Sequence, residues 1–334
     1  MTNPASISGR TLGMGVDVAL EGRPSVAAPF GHALRLLATE DARIVGLTAD
    51  LGKYTDILPF AEAFPDRYFN VGMAEQNLIA VAAGLARSGK IPFVTTYGVF
   101  ATRRAYDFIA IACAHSAMPV KIFAGLPGLT TGYGGTHQAI EDLALMAAVP
   151  GLAVMDPCDA TELTSAVRIA LAHDGPIYVR LQRGNVPVVF DAASHSLSFG
   201  RAMALREGKD IGIISTGLMT ERALDAATAL AGEGLAAGVL HVPFLKPIDE
   251  GAIALFGAST ERLAVAENHL AHGGLATRVV ETLYAAGVSR PLIRIGLPDR
   301  FIECGSTAYL QDKYGLSTPR MFERIRDFVR TGAS

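Results

Sequence analysis

NVGMAEQNLIAVAAGLARSGKIPFVTTY, residues 70–97, places one acid, Glu75, at the mouth of a small, apolar run of helical period and ends in IPFVTTY (91–97), an apolar run of strand length. A helix leading into a buried strand is the repeating unit of a parallel sheet covered by helices. The same rhythm extends outward. Upstream, residues 26–39 read as a helix and IVGLTAD (44–50) as a buried strand. Downstream, VKIFAG (120–125), GLAVMDP (151–157) and IYVRLQ (177–182) read as strands, and helices are expected from Ala74, Phe100, His137 and Ala160. Around DAASHSLSFGRA (191–202) the apolar period lapses, as it does in an interdomain linker. A second rhythm follows in IGIISTG, GVLHVPF, RLAVAEN and LIRIGL, closing on an amphipathic helix near Pro319 to Val329. The expected fold is therefore α/β, with two open, mostly parallel sheets carrying helices on both faces. The expected division is an extended arm over residues 1–25, a first domain over 26–190, a linker over 191–202 and a smaller second domain over 203–334.

Composition agrees with two globular domains. Half of the 334 residues are hydrophobic, 18% are charged and Trp is absent, a balance that suits packed α/β layers rather than disorder. A net charge of -3 without a Lys/Arg run gives no electrostatic footprint for nucleic acid or an anionic membrane. Cys113, Cys158 and Cys304 are odd in number and far apart, so they suggest neither a disulfide framework nor a zinc site, and a reducing cytoplasm is expected. The first residues lack a basic n-region followed by an apolar h-region, and no apolar run reaches the length of a membrane span.

Open parallel sheets bind ligands where loops leave the carboxyl ends of their strands, and four such places carry chemistry-bearing residues. Glu75 lies in a first helical turn that favours negative charge, so an acid stabilising its own helix is one reading. LIAVAAGLA (78–86) is apolar or small on nearly every face, which predicts a helix buried all round, across a subunit interface, and weakens that reading. A carboxyl buried there pairs with a group that shares a proton. In TTYGVFATRRAYDFI (95–109), Tyr97 and Phe100 could make a flat slot for a ring, with Arg103, Arg104 and Tyr106 a turn further on; core packing explains either aromatic alone. The loop GLPGLTTGYGGTHQ (125–138) is rich in glycine, which lets a backbone approach a ligand, but it matches neither common phosphate-loop pattern. His137 opens the helix expected after it, and Arg183 in RLQRGN (180–185) either meets an anion or sits exposed.

In order and spacing, G-M-A-E-Q-N (72–77), T-Y-G-V-F (96–100) with R-A-Y-D (104–107), G-Y-G-G-T-H-Q (132–138), D-P-C-D-A-T-E (156–162) and R-L-Q-R-G-N resemble the pyrimidine-binding domain of transketolases. The 1-deoxyxylulose-5-phosphate synthases share much of this pattern. The second half, with LKPID (245–249) and AENHLAHGGL (266–275), resembles the transketolase C-terminal domain. No G-D-G with a downstream Asn, the family's diphosphate and Mg²⁺ signature, is found. The resemblance thus implies the carboxyl-terminal subunit of a split transketolase. It also implies a separate amino-terminal subunit holding the diphosphate and Mg²⁺ of thiamin diphosphate, and a homodimer of this chain within an α₂β₂ assembly whose active site lies between subunits. No metal ligand is expected in this chain.

Carried over position by position, the resemblance gives Glu75 the role of bonding the pyrimidine ring nitrogen and activating the cofactor. Phe100 stacks on the pyrimidine, and Tyr97 stands where the family usually has Phe, with Arg103 and Tyr106 completing the cofactor side. His137 matches a histidine near the donor's carbonyl and hydroxyl groups, and Arg183 an arginine that contacts substrate phosphate. Three departures bear on substrate. The acidic stretch usual before T-H-Q is replaced by G-Y-G-G (132–135), so an aspartate that reads a sugar hydroxyl has no match. Leu126 stands where a phosphate-binding His or Arg is usual, and LGKYTD (51–56) offers Lys53 and Tyr54 in place of a serine. The expectation is transfer of a two-carbon ketol unit from a phosphorylated or otherwise anionic ketose to an aldehyde, with an unusual ketose or acceptor, branched or bearing a different anionic group, held partly by Arg183 and Lys53. Rival readings are a deoxyxylulose-phosphate synthase subunit, the β subunit of a 2-oxoacid dehydrogenase, and a regulatory subunit that kept the fold without catalysis. In AENH, Glu267, Asn268 and His269 are not expected to be catalytic.

Overall fold

A computed structural model describes residues 22–331, so the arm expected over residues 1–25 lies outside the described residues except for its last four. In chain order the strands are β1 (Ser25–Ala27), β2 (Ile44–Thr48), β3 (Tyr68–Asn70), β4 (Ile91–Tyr97), β5 (Lys121–Gly125), β6 (Ala153–Met155) and β7 (Ile177–Leu181). They continue as β8 (Asn185–Pro187), β9 (Met203–Arg206), β10 (Ile211–Ser215), β11 (Ala237–His241), β12 (Phe244–Lys246), β13 (Leu263–Leu270) and β14 (Leu292–Leu297). β1 pairs antiparallel with β8. The helix expected from Val26 instead begins at Pro29, because Ala28 is left-handed (φ 45°) and the proline ring sets the first helical φ.

The larger sheet has seven strands in the order β12-β6-β7-β5-β4-β2-β3. Six run parallel, and all of these but the edge strand β3 bury both faces, with side chains alternating between two cores. On β4, Val94 joins Val45, Leu47 and Ile122 under the helix Glu75–Arg87, while Phe93 joins Phe30, Phe123 and Val179 on the opposite face. The seventh strand corrects the sequence reading. GVLHVPF is not one strand; it breaks at Pro243, which has no N–H for a ladder, and its second part crosses to pair antiparallel with β6. The smaller sheet, β14-β13-β10-β11-β9, takes β9 as an antiparallel edge immediately after the linker segment.

Two helix expectations also change. The helix expected from His137 starts at Asp142, because His137 N–H bonds the Gly134 carbonyl (2.9 Å) in a turn and Gly128 N–H bonds the Ala139 carbonyl (2.8 Å) across the loop. The segment from Phe100 is a helix Gly98–Arg104 that breaks at Ala105 and resumes through Tyr106–Phe108 into a π-helical stretch, Ile109–His115. Nor is the helix Glu75–Arg87 buried all round within the chain. Glu75, Leu78, Ile79, Ala82, Ala83 and Ala86 face the core, but Gln76, Asn77, Ala80 and Gly84 are exposed.

A buried polar joint locks the two sheets together. Arg180 on β7 donates from Nε to Asp142 (2.9 Å), and its Nη1 reaches Asp156 and the Asn268 carbonyl of β13, both at 3.2 Å. Tyr178 Oη also donates to Asp142 (2.7 Å). Charges withdrawn from water require this degree of partnering. Among the described residues, no helix is long and apolar enough to cross a membrane.

Candidate functional site

The parallel strands β2, β4, β5 and β7 end side by side, and the loops that leave them build one aromatic pocket. β4 delivers Tyr97, and the helix that starts one residue later turns Phe100 back beside it, ring centroids 5.7 Å apart. From the loop after β5, His137 presents its edge to Phe100 at 5.4 Å and lies 6.3 Å from Tyr97 and 5.4 Å from Tyr133. Leu126, Val99 and Ala139 close the floor, and Leu51 and Tyr54 pack against it from the loop after β2. Leu126 holds φ at 54°, a left-handed backbone that costs a branched side chain about 1–2 kcal/mol. That cost fits a loop whose path is set by its neighbours rather than by local preference.

Glu75 is 2% exposed at the start of its helix. Its Oε1 lies 3.1 Å from Arg104 Nη1, and the Arg104 guanidinium also lies over the Phe100 ring, 4.0 Å from its centroid. Among the described residues, the partner of the buried acid is therefore the Arg104 guanidinium. Arg104 sits four residues after Phe100, the spacing that stacks side chains on one helix face, and this spacing is the signal that could have singled it out.

The groups around the pocket have distinct electrostatic settings. Burial lowers the pKa of His137, and the Arg104 charge lowers it further, so the ring is neutral at pH 7. Its Nδ1 is 2.9 Å from Thr136 Oγ1. Burial raises the Tyr97 phenol, the positive charge of Arg183 opposes that, and Tyr133 and Tyr54 add to it. Arg183 therefore stands close enough to Tyr97 to act on it. Its Nε is buried with no hydrogen-bond partner among the described residues. Beside it, Asp56 accepts from Gly184 N–H (2.6 Å), and burial pushes its carboxyl up to about 6 against that bond and the charge of Arg183. Asp56 escaped the sequence reading because its pairing with the loop after β7 spans 128 residues.

The expected residues divide by geometry. Glu75, Tyr97, Phe100 and His137 converge, and the charge of Arg183 acts on Tyr97; Lys53 is exposed on the short turn Gly52–Tyr54. Arg103 does not enter the ring slot. It pairs with Glu141 and donates from Nη1 to the Gly135 carbonyl (2.7 Å). Tyr106 packs half-buried against the core beneath the helix Glu75–Arg87. In AENH, Glu267 caps the helix Leu275–Ala285 by accepting from Leu275 N–H (2.7 Å) and Ala276 N–H (3.0 Å), and Asn268 accepts from Leu129 N–H (2.8 Å). These contacts give the motif a structural purpose. No group of three or more metal-binding side chains occurs among the described residues.

Comparison with known proteins gives this arrangement a family. The transketolase pyrimidine-binding domain matches residues 23–189 and the transketolase C-terminal domain residues 200–321. A transketolase family protein of Sinorhizobium fredii is 50% identical over 96% of this chain and 93% of its own length. A 6-deoxy-6-sulfo-D-fructose transketolase subunit of a Clostridium species is 42% identical over 84% of this chain and 87% of its own. Among solved structures, a split gene transketolase described as an inactive beta4 tetramer superposes with a TM-score of 0.84 at 40% identity, covering 92% of this chain and 99% of that one. The chain belongs to the transketolase family, a thiamin diphosphate-dependent family, and carries its pyrimidine-binding and C-terminal domains.

Proposed function

We propose that this chain is the carboxyl-terminal subunit of a split transketolase. Joined to an amino-terminal subunit that holds the diphosphate and Mg²⁺, it transfers a two-carbon ketol unit from an anionic ketose to an aldehyde. The observation that carries this reading is the double contact of Arg104. One planar, forked group stacks on Phe100 and meets the Glu75 carboxylate at the same time, so the two are placed to hold a flat nitrogen-containing ring. The aminopyrimidine of thiamin is such a ring, and the residues present fit it.

Thiamin diphosphate, when bound, supplies the carbanion chemistry that protein side chains lack. This chain's residues do the rest. Glu75 takes up and returns a proton at Oε1, in a site where burial strengthens each electrostatic contact. Tyr97 and Phe100 wall the ring off from water. His137, neutral at pH 7, donates to or accepts from the donor's oxygens at Nε2, with its Nδ1 engaged by Thr136. Arg183 binds the anionic end of the ketose, and its buried, unpartnered Nε is a donor in search of an acceptor. Lys53 adds positive charge at the rim.

The anion favoured is not an ordinary sugar phosphate. Leu126 brings no charge to the position it fills, and the groups beside Arg183 are the Asp56 carboxyl and the Tyr97 phenol. The relative named for a sulfonated ketose supports a tetrahedral monoanion as one candidate head group. The test is reconstitution with the amino-terminal subunit, followed by two-carbon transfer from matched phosphorylated, sulfonated and uncharged ketoses. Glu75→Ala should lower kcat by on the order of 10²–10⁴ and leave assembly intact. Full activity in that variant would remove the central assignment, and equal use of xylulose 5-phosphate and all other ketoses would remove the altered specificity.

A further inference from the structure

The glycines of the loop after β5 invite comparison with a phosphate cradle, but what lies against them is protein. Neither Gly132 nor Gly135 has a positive φ, so backbone conformation does not demand glycine at either position. Close approach does. A methyl carbon on Gly132 would fall 2.0 Å from the Gly305 carbonyl oxygen, one on Gly134 would fall 2.8 Å from Cys304 Sγ, and one on Gly135 would fall 3.0 Å from the Phe301 ring. All three neighbours belong to one segment of the second domain, residues 301–305. Gly305 N–H also donates to the Gly132 carbonyl at 3.1 Å.

Arg103 grips the same loop from the other side. It donates to the Gly135 carbonyl (2.7 Å) and more weakly to the Gln138 carbonyl (3.4 Å), pairs with Glu141, and carries its guanidinium 5.5 Å from the centre of the Phe301 ring. His137 sits between the two carbonyls that Arg103 holds, with its N–H on Gly134. Phe301 is 73% exposed, so it is no part of a core. An exposed ring laid on a glycine and beside an arginine has the geometry of a clamp.

We propose that the second domain takes part in the active site: Phe301 and Arg103 are positioning residues that clamp the loop 132–138 and so place His137 against the donor ketose. The inference rests on the proposed function for its kinetic meaning and on the geometry alone for the clamp. Because the role proposed for His137 is toward the donor's oxygens, loosening the clamp should act on donor binding. Phe301→Ala and Arg103→Ala should each raise amide hydrogen exchange in residues 132–138 and leave residues 75–87 unchanged. In the reconstituted complex they should raise the donor KM on the order of tenfold with the acceptor KM little moved. Phe301→Tyr, which keeps the ring, should restore both. Unchanged exchange in both alanine variants would overturn the clamp. Raised exchange with unchanged donor kinetics would overturn the positioning role, as would failure of Phe301→Tyr to rescue. If the unsubstituted complex transfers no ketol unit the proposed function falls instead, and the exchange measurement still decides the clamp.

Discussion

Arg104 touches both groups assigned to the cofactor's ring, and the consequences differ from those of an ordinary surface ion pair. With its side chain half exposed, the pair with Glu75 contributes little to folding. It does compete for the face of Phe100 and the oxygen of Glu75. Arg104→Ala should therefore tighten thiamin diphosphate binding by the reconstituted complex, by a factor of a few for about 1 kcal/mol of lost competition. Calorimetric titration would show it, and weaker binding would mean that Arg104 holds Glu75 in place instead. Asp56 offers a second test. Its carboxyl is raised from 3.8 to about 6, so the folded chain binds its proton more tightly than the unfolded chain. The sign follows: stability from this group is greatest below pH 4 and is lost as pH rises through about 6. The shift amounts to about 3 kcal/mol at its fullest, at 1.36 kcal/mol per unit. Asp56→Asn keeps an oxygen for Gly184 N–H and cannot titrate. Relative to this variant, the native chain should lose stability between pH 4 and 6 and remain level above. A urea-midpoint difference that does not vary with pH would refute the assignment.

At the scale of elements, periodicity made legible what short-range pattern can carry. β4 and the helix Glu75–Arg87 emerge close to where apolar period places them, since buried strands and amphipathic helices write their packing into consecutive residues. β3 and β12 are three residues long, and β12 finds its partner some ninety residues back in the chain, so nothing local marks them. In the site, Tyr97, Phe100 and Glu75 were visible because they sit at strand or helix ends. Asp56, and the turn of Arg103 away from the ring slot, were not, because each depends on a loop delivered from elsewhere. The central strands carry a stability prediction. Phe123 on β5 stacks on Phe30 at 4.5 Å and Phe93 at 5.8 Å with no exposure, so Phe123→Ala should cost about 3–5 kcal/mol. Phe69, 40% exposed on the edge strand β3, should cost far less when replaced by Ala. Urea denaturation of the two variants side by side would check the contrast; equal losses would mean that the two-faced core has been misread.

For the whole molecule, the exposed side of the helix Glu75–Arg87 is the feature that reaches beyond the chain, and Gly84 bears on it most directly. Glycine inside a helix costs about 1 kcal/mol relative to alanine. Here that cost has no return among the described residues, because a methyl carbon built on Gly84 meets none of them within 4 Å. The neighbouring exposed positions, Gln76, Asn77 and Ala80, share the same side, next to the buried Glu75. The small residues Ala80 and Gly84 on this side are explained if another backbone must come close, as it would where two copies of the chain, or the chain and the proposed amino-terminal subunit, meet beside the site. Gly84→Arg separates folding from assembly. It should leave the isolated chain as stable as before or more stable by about 0.5–1 kcal/mol, through helix propensity alone. At the same time it should block association, which sedimentation velocity would register as a smaller species, and abolish ketol transfer in the reconstituted mixture. Should the Gly84→Arg complex keep its mass and its activity, this face is not the interface, and the small residues along it need a different cause.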